Sequence, residues 1–139
     1  MSYLLDTDIV SGYNKRTIPA KLKAWLRLHE GESFLSVVSI AEMRFGLPGA
    51  GSADHAELAE RLAQTEIGFL DALEGLDIDT LTRWKHLLAD LKRINRTMTC
   101  EDSLIAATAL AKGHTLATAN ERHFKPAEGF GLKIVNPLA

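Results

Sequence analysis

Short apolar runs alternating with longer helical repeats constrain this chain more than any other feature. Tyr3-Leu4-Leu5, the run from Ser33 to Val38, Leu76-Asp77-Ile78, Thr115 to Thr118 and Leu132 to Val135 read as strands. Between them, Leu22, Trp25, Leu26 and Leu28 mark a helix that Gly31 stops. Leu58, Leu62, Phe69 and Leu73 follow helical spacing, as do Leu81, Trp84, Leu87, Leu88, Leu91 and Ile94. Leu104 to Ala111 is apolar on nearly every side, the signature of a helix packed on a sheet with little solvent face. Strands joined through helical crossovers pair in parallel and need helices on both faces. The expected architecture is therefore α/β, with a mostly parallel central sheet of four to five strands between two helical layers.

At 139 residues the chain is expected to form a single domain, 1–139, with one sizeable core. The segment Pro48-Gly49-Ala50-Gly51-Ser52 reads as a turn, because helical signals flank it closely. A net charge of -2 supplies no global positive field, so any nucleic-acid contact has to rely on local patches. Cys100 is the only cysteine and has no internal disulfide partner, which fits a reducing compartment. Asp6 and Asp8 interrupt the N-terminus before a signal-peptide core forms, and no apolar stretch approaches the roughly 20 residues of a membrane span. A cytoplasmic protein without membrane association is the expectation.

The acids carry the chemistry. Asp6 closes the first strand, and in open parallel sheets the functional crevice lies beyond the carboxyl ends of the strands. Glu42 lies one turn into the element after the second strand, and Asp102 opens the helix leading to the fourth. Each also has a local reading. Ser39-Ile40-Ala41-Glu42 and Thr99-Cys100-Glu101-Asp102 both match a capping box, and Asp8 and Asp79 suit the caps of their own helices. Convergence at one sheet edge favours function, because crowded carboxylates repel one another unless a cation sits between them. Oxygen-rich acid clusters suit Mg²⁺ or Mn²⁺, and thus metal-assisted attack of water on a phosphodiester.

Other chemistries lack support. Gly46-Leu47-Pro48-Gly49 has neither the context nor the lysine of a phosphate-binding loop. The five histidines show no zinc spacing with Cys100. Ser36 and Ser39 have no recognisable base.

Read together, four segments resemble the PIN-domain family, and within it the VapC-type toxins of bacterial type II toxin–antitoxin systems. They are Tyr3 to Val10, Ser36 to Gly46, Glu101 to Ala109, and Leu116-Ala117-Thr118-Ala119-Asn120. The likeness covers essentially the whole chain in order and spacing. It implies a three-layer PIN-like fold and a Mg²⁺- or Mn²⁺-dependent endoribonuclease acting on transfer or ribosomal RNA. It further implies neutralisation by a VapB-type antitoxin and assembly as a homodimer. The family's first three acids fall on Asp6, Glu42 and Asp102, with Asp6, Asp102 and Glu42 as metal ligands. Asp8 stands where the family most often has Asn. The fourth acid is missing: its two usual positions hold Asn120 and His123, with Glu121 between them. Thr118 matches a Ser/Thr that hydrogen-bonds within the acidic pocket.

RNA needs cationic guidance. Lys15, Arg16, Lys21 and Lys23 follow Asp6, while Lys92, Arg93 and Arg96 precede Asp102; Arg44 either meets phosphate or pairs with Glu42. Two other functions compete. The run Asp6-Thr7-Asp8-Ile9-Val10 also resembles the opening motif of haloacid-dehalogenase-like phosphatases, but Glu101-Asp102 precedes a helix, where that family requires acids at a strand end. A non-catalytic PIN-like module that binds RNA or protein draws its case from the missing fourth acid.

Overall fold

Five parallel strands form one sheet in the order β3-β2-β1-β4-β5. The computed structural model describes residues 1–13 and 18–139, with the backbone alone for residues 12 and 13. The strands are β1 (Tyr3–Leu5), β2 (Ser33–Ser36), β3 (Leu73–Glu74), β4 (Thr115–Ala117) and β5 (Ile134–Val135). The helices are α1 (Thr7–Tyr13), α2 (Ala20–Leu28), α3 (Val37–Phe45), α4 (His55–Gly68), α5 (Ile78–Arg93), α6 (Cys100–Lys112) and α7 (Glu121–Phe124).

The central strand is sealed on both sides by period-two alternation. Leu4, with its neighbours Phe34 and Leu116, faces a core built with Leu87 and Leu91 of α5, Ile105 to Ala107 of α6, and Phe124 of α7. Tyr3, Leu5, Leu35 and Ala117 face the opposite core, which Ile9, Val10 and Leu22 complete. Two cores on opposite faces are the three-layer arrangement expected from the alternation of strands and helices. Leu4, Leu5, Leu35 and Leu116 are each at most 1% exposed, and burying such a side chain stabilises the fold by about 1.5–3 kcal/mol. The small side chains Ala106, Ala107 and Ala109 let α6 approach the sheet closely. Gly113, at φ 73°, ends that helix in the left-handed region that a side chain disfavours.

Several local expectations are corrected. The third strand is Leu73–Glu74 and not Leu76-Ile78, because Asp77 caps α5 and Ile78 is its first residue. Phe69 and Leu73 accordingly lie beyond the end of α4. The second strand stops at Ser36, whose hydroxyl accepts from the Val38 N–H at 3.0 Å and starts α3. Ser39 is therefore fully buried inside the helix, and no capping box joins it to Glu42. Asp77 and not Asp79 caps α5, accepting from the Thr80 N–H at 2.9 Å. Asp8 sits in the first turn of α1 and is not its cap. The expected Thr99 cap is present: its hydroxyl accepts from the Asp102 N–H at 3.1 Å.

The connections fix where function sits. From β1 the chain runs outward through β2 to β3, then returns to β4 on the other side of β1 and continues to β5. The direction of winding reverses between β1 and β4, so the crevice of such a sheet opens beyond the ends of these two strands.

Candidate active site

Asp6 follows the last residue of β1 and Thr118 the last residue of β4, so the reversal point places them side by side. Thr118 Oγ1 donates to Asp6 Oδ2 at 2.8 Å, while the Thr7 N–H donates to Asp6 Oδ1 at 2.8 Å. The Asp6 N–H itself donates to the Ala117 carbonyl at 2.9 Å, continuing the ladder past the strand end. The residue is only 5% exposed. Burial first, and the Asp8 carboxylate second, push its carboxyl up to about 7, against the lowering effect of Thr118.

Asp8 reaches the same point from the first turn of α1. Its Oδ2 accepts from the Ala119 N–H at 3.1 Å, and its Oδ1 is buried without a hydrogen-bond partner. A buried carboxylate oxygen with no donor is costly unless something positive completes it.

Glu42 projects from α3 toward α1. Thr7 Oγ1 donates to Glu42 Oε1 at 2.7 Å and lies 2.9 Å from Ser39 Oγ. Thr7 thus bonds Asp6 through its backbone and Glu42 through its side chain. The sequence reading assigned Thr7 no role, although its place between Asp6 and Asp8 was the available signal.

Asp102 comes from the first turn of α6. It is half-buried, and burial raises its carboxyl above the ordinary value, with His123 opposing and Asp8 adding to the rise. His123 Nδ1 stands 3.7 Å from Asp102 Oδ2, so the imidazole occupies the flank where a fourth acid was missing. Asn120 is exposed, and its backbone N–H donates to Thr118 Oγ1 at 2.9 Å. Glu121 is exposed and accepts from Asn136 Nδ2 at 3.2 Å.

The expected cationic rim is only partly available. Arg44 pairs with Glu66 of α4 at 2.6 Å and not with Glu42, and Arg93 pairs with Asp90 within α5. Arg96 and Lys92 line a recess of about 220 Å³ in the loop before α6. Lys15 and Arg16 lie outside the described residues. The sequence reading passed over Arg122 and Lys125, which line a cleft of about 560 Å³ with Asn120, Glu121, His123 and Glu128.

The donor set fits a hard divalent cation. Among the described residues, no three His, Cys, Asp or Glu side chains gather closely enough to hold a metal as a group. Mg²⁺, however, typically takes one or two carboxylates, several waters and substrate phosphate oxygens. Asp6 and Asp8 are such a pair, and the orphaned Asp8 oxygen together with the elevated Asp6 supplies the uncompensated negative charge that a cation relieves. No described helix is long and apolar enough to cross a membrane.

Comparison with known proteins agrees with this geometry. The PIN domain family model matches residues 3–129. The chain is 32% identical to the VapC ribonuclease Y4jK of Sinorhizobium fredii, over 96% of each sequence. It is 27% identical to the tRNA(fMet)-specific endonuclease VapC of Shigella flexneri, over 93% of this chain and 94% of that one. Among solved structures, FitAcB from Neisseria gonorrhoeae superposes with a TM-score of 0.86 at 25% identity, over 98% of both chains. VapBC2 from Rickettsia felis, bound to a DNA fragment from its promoter, shares the fold with a TM-score of 0.83 at 22% identity and 98% coverage of both. Nucleases of this kind are generally dependent on a divalent metal. With residues 3–129 inside the PIN model and nearly the whole chain aligned to a VapC ribonuclease, this protein belongs to the PIN-domain family, among the VapC ribonucleases of toxin–antitoxin systems.

Proposed function

We propose that residues 1–139 act as one PIN unit that cleaves transfer or ribosomal RNA with Mg²⁺ or Mn²⁺, using Asp6, Glu42 and Asp102. The observation that carries this reading is the pairing of buried Asp6 with half-buried Asp8 at the reversal point of the sheet, with one buried Asp8 oxygen left without a donor. Asp6 and Asp8 would hold the cation, with Asp102 beside them. A cation bound there supplies Lewis acidity and water activation. Thr118 and the Thr7 N–H hold the Asp6 carboxylate in one orientation, so the site is assembled before substrate arrives. Glu42, anchored by Thr7, would orient or deprotonate water, and His123 stands beside Asp102 on the flank where an acid would add negative charge. The relative from Shigella named for tRNA(fMet) supports a transfer-RNA substrate.

The partner is a small VapB-type antitoxin, as in the VapBC and FitAB complexes whose toxin chains share this fold. A cytoplasmic homodimer is the working assembly. The test is cleavage of a transfer RNA by the purified chain with Mn²⁺ or Mg²⁺. Asp6→Asn, Glu42→Gln and Asp102→Asn should each abolish cleavage while leaving the circular dichroism unchanged. Wild-type rates in all three would remove the assignment.

A second reading is a PIN-like module that binds RNA or protein without cutting it. It is favoured by Asn120 and His123 at the fourth-acid positions and by the lack of a three-ligand group among the described residues. Calorimetric binding of Mn²⁺ together with intact RNA after prolonged incubation would select it.

A further inference from the structure

We propose that the cleft beside Asp102 grips the RNA backbone next to the scissile bond through Arg122 and Lys125, an inference that rests on the ribonuclease reading above. The four-residue helix α7 is pinned by one side chain: Phe124 is 0% exposed and belongs to the core under α6. With Phe124 turned inward, Arg122, His123 and Lys125 are all left exposed. They line one cleft of about 560 Å³, inside the roughly 300–1,000 Å³ range of small-ligand sites and thus suited to one nucleotide unit. His123, which lines that cleft, lies 3.7 Å from Asp102, so a phosphate seated in it is one side chain away from the acids.

Four of the other arginines are already engaged. Arg44 is held by Glu66, Arg61 by Glu57, Arg93 by Asp90, and Arg83 donates to the Phe130 carbonyl at 3.0 Å. Among the described residues, Arg122 and Lys125 have neither an ion pair nor a side-chain hydrogen bond. Of the two acids in the cleft, Glu121 accepts from the Asn136 amide, a neutral donor that leaves its charge in place, and Glu128 is exposed beside it. The two acids balance the two cations in formal charge, so the cleft relies on directed contacts to one phosphate group and not on a net positive field. A free guanidinium takes phosphate oxygens in bidentate fashion, and a free ammonium adds a point charge beside it.

The experiment measures binding of a single-stranded RNA oligomer to Asp6→Asn protein, which keeps the RNA intact, across a salt series. Arg122→Gln/Lys125→Gln in that background should weaken binding on the order of tenfold and flatten the slope of log affinity against log salt by about 0.7, the value for one phosphate contact on a single strand. Arg122→Lys should keep most of the slope, because charge is retained. Arg27→Gln on α2 should change neither quantity, and unchanged melting should show that all variants are folded. Unaltered affinity and slope in the double variant overturn the proposal, as does failure of the Asp6→Asn protein to bind RNA at all. Cleavage by the otherwise unmodified chain with Mn²⁺ is scored separately. Its absence counts against the ribonuclease reading, while the salt slopes still judge the cleft.

Discussion

Thr118 and Asp6 meet across the seam between β4 and β1, joined by a 2.8 Å hydrogen bond in which the hydroxyl donates to the carboxylate. The residues are 112 positions apart, yet each simply follows the last residue of its own strand, and the two strands are register partners. The same hydroxyl accepts from the Asn120 N–H, so one oxygen fixes both an acid and the turn that carries His123 toward Asp102.

Thr118→Val should therefore lose most activity while keeping the fold. Removing the hydroxyl leaves the buried Asp6 oxygen and the Asn120 N–H without a partner, at a cost of about 1–3 kcal/mol. Thr118→Ser should recover both properties. Thermal melting alongside RNA cleavage checks the pair of variants.

The elevated Asp6 predicts a pH dependence of stability without metal. Its folded pKa of about 7 lies above the ordinary 3.8, so the native state binds the extra proton. Stability is then fully present below about 4 and is lost as pH rises through 7, by at most a few kcal/mol. Melting in excess chelator should decline between pH 5 and 8. Asp6→Asn should flatten the decline, and Mn²⁺ should reverse it in the unmodified protein. A chelated protein equally stable at both pH values would contradict the assigned burial effect.

Helix capping separates two serines that look alike in sequence. Ser36→Ala should destabilise the protein by about 1 kcal/mol through loss of the α3 cap, with equilibrium denaturation as the measure. Glu42→Gln should leave denaturation nearly unchanged while removing activity, since Glu42 bonds Thr7 and caps nothing.

His114, just ahead of β4, joins three separate junctions. Its Nδ1 lies 2.6 Å from Ser2 Oγ, its Nε2 lies 2.9 Å from Glu74 Oε2, and its ring stacks on Phe34. His114→Leu should cost about 1–3 kcal/mol by stranding the half-buried Glu74. Cleavage per folded molecule should be unchanged, because His114 precedes β4 while Asp6 and Thr118 follow the far ends of β1 and β4. Activity normalised to the folded fraction, measured well below the melting point, tests this separation.

Metal preference should follow the donor at the fourth-acid position. With His123 beside Asp102, Mn²⁺ should support faster cleavage than Mg²⁺, because nitrogen donors suit it better. His123→Asp should narrow or invert the difference, as seen in parallel rate measurements with each ion.

The layer order and the acid-bearing strand end were readable because Leu4, Leu5 and Leu116 form apolar runs that only a doubly covered sheet accommodates. The third strand was not readable. Leu73–Glu74 is two residues long, and Leu76-Asp77-Ile78 is the stronger apolar run, but Asp77 spends its side chain on capping. Ser36 and Ser39 both satisfied a cap pattern, and only the depth at which β2 ends separates them. The fate of Arg44 depended on Glu66, which a turn and much of α4 separate from it in sequence. Thr7 was hidden for another reason: its backbone and side chain act on two different acids, and residue type alone does not reveal that division.

A short central strand clamped between two neighbours and buried on both faces offers no slack at its tip. Asp6 is tied by its own N–H to Ala117 and by its carboxylate to Thr118 and Thr7, so withdrawing it requires breaking all three bonds at the end of a buried strand. Such a site has no resting, disassembled form at low energetic cost. The site is assembled from the moment the molecule folds, so any restraint on it has to come from outside the chain.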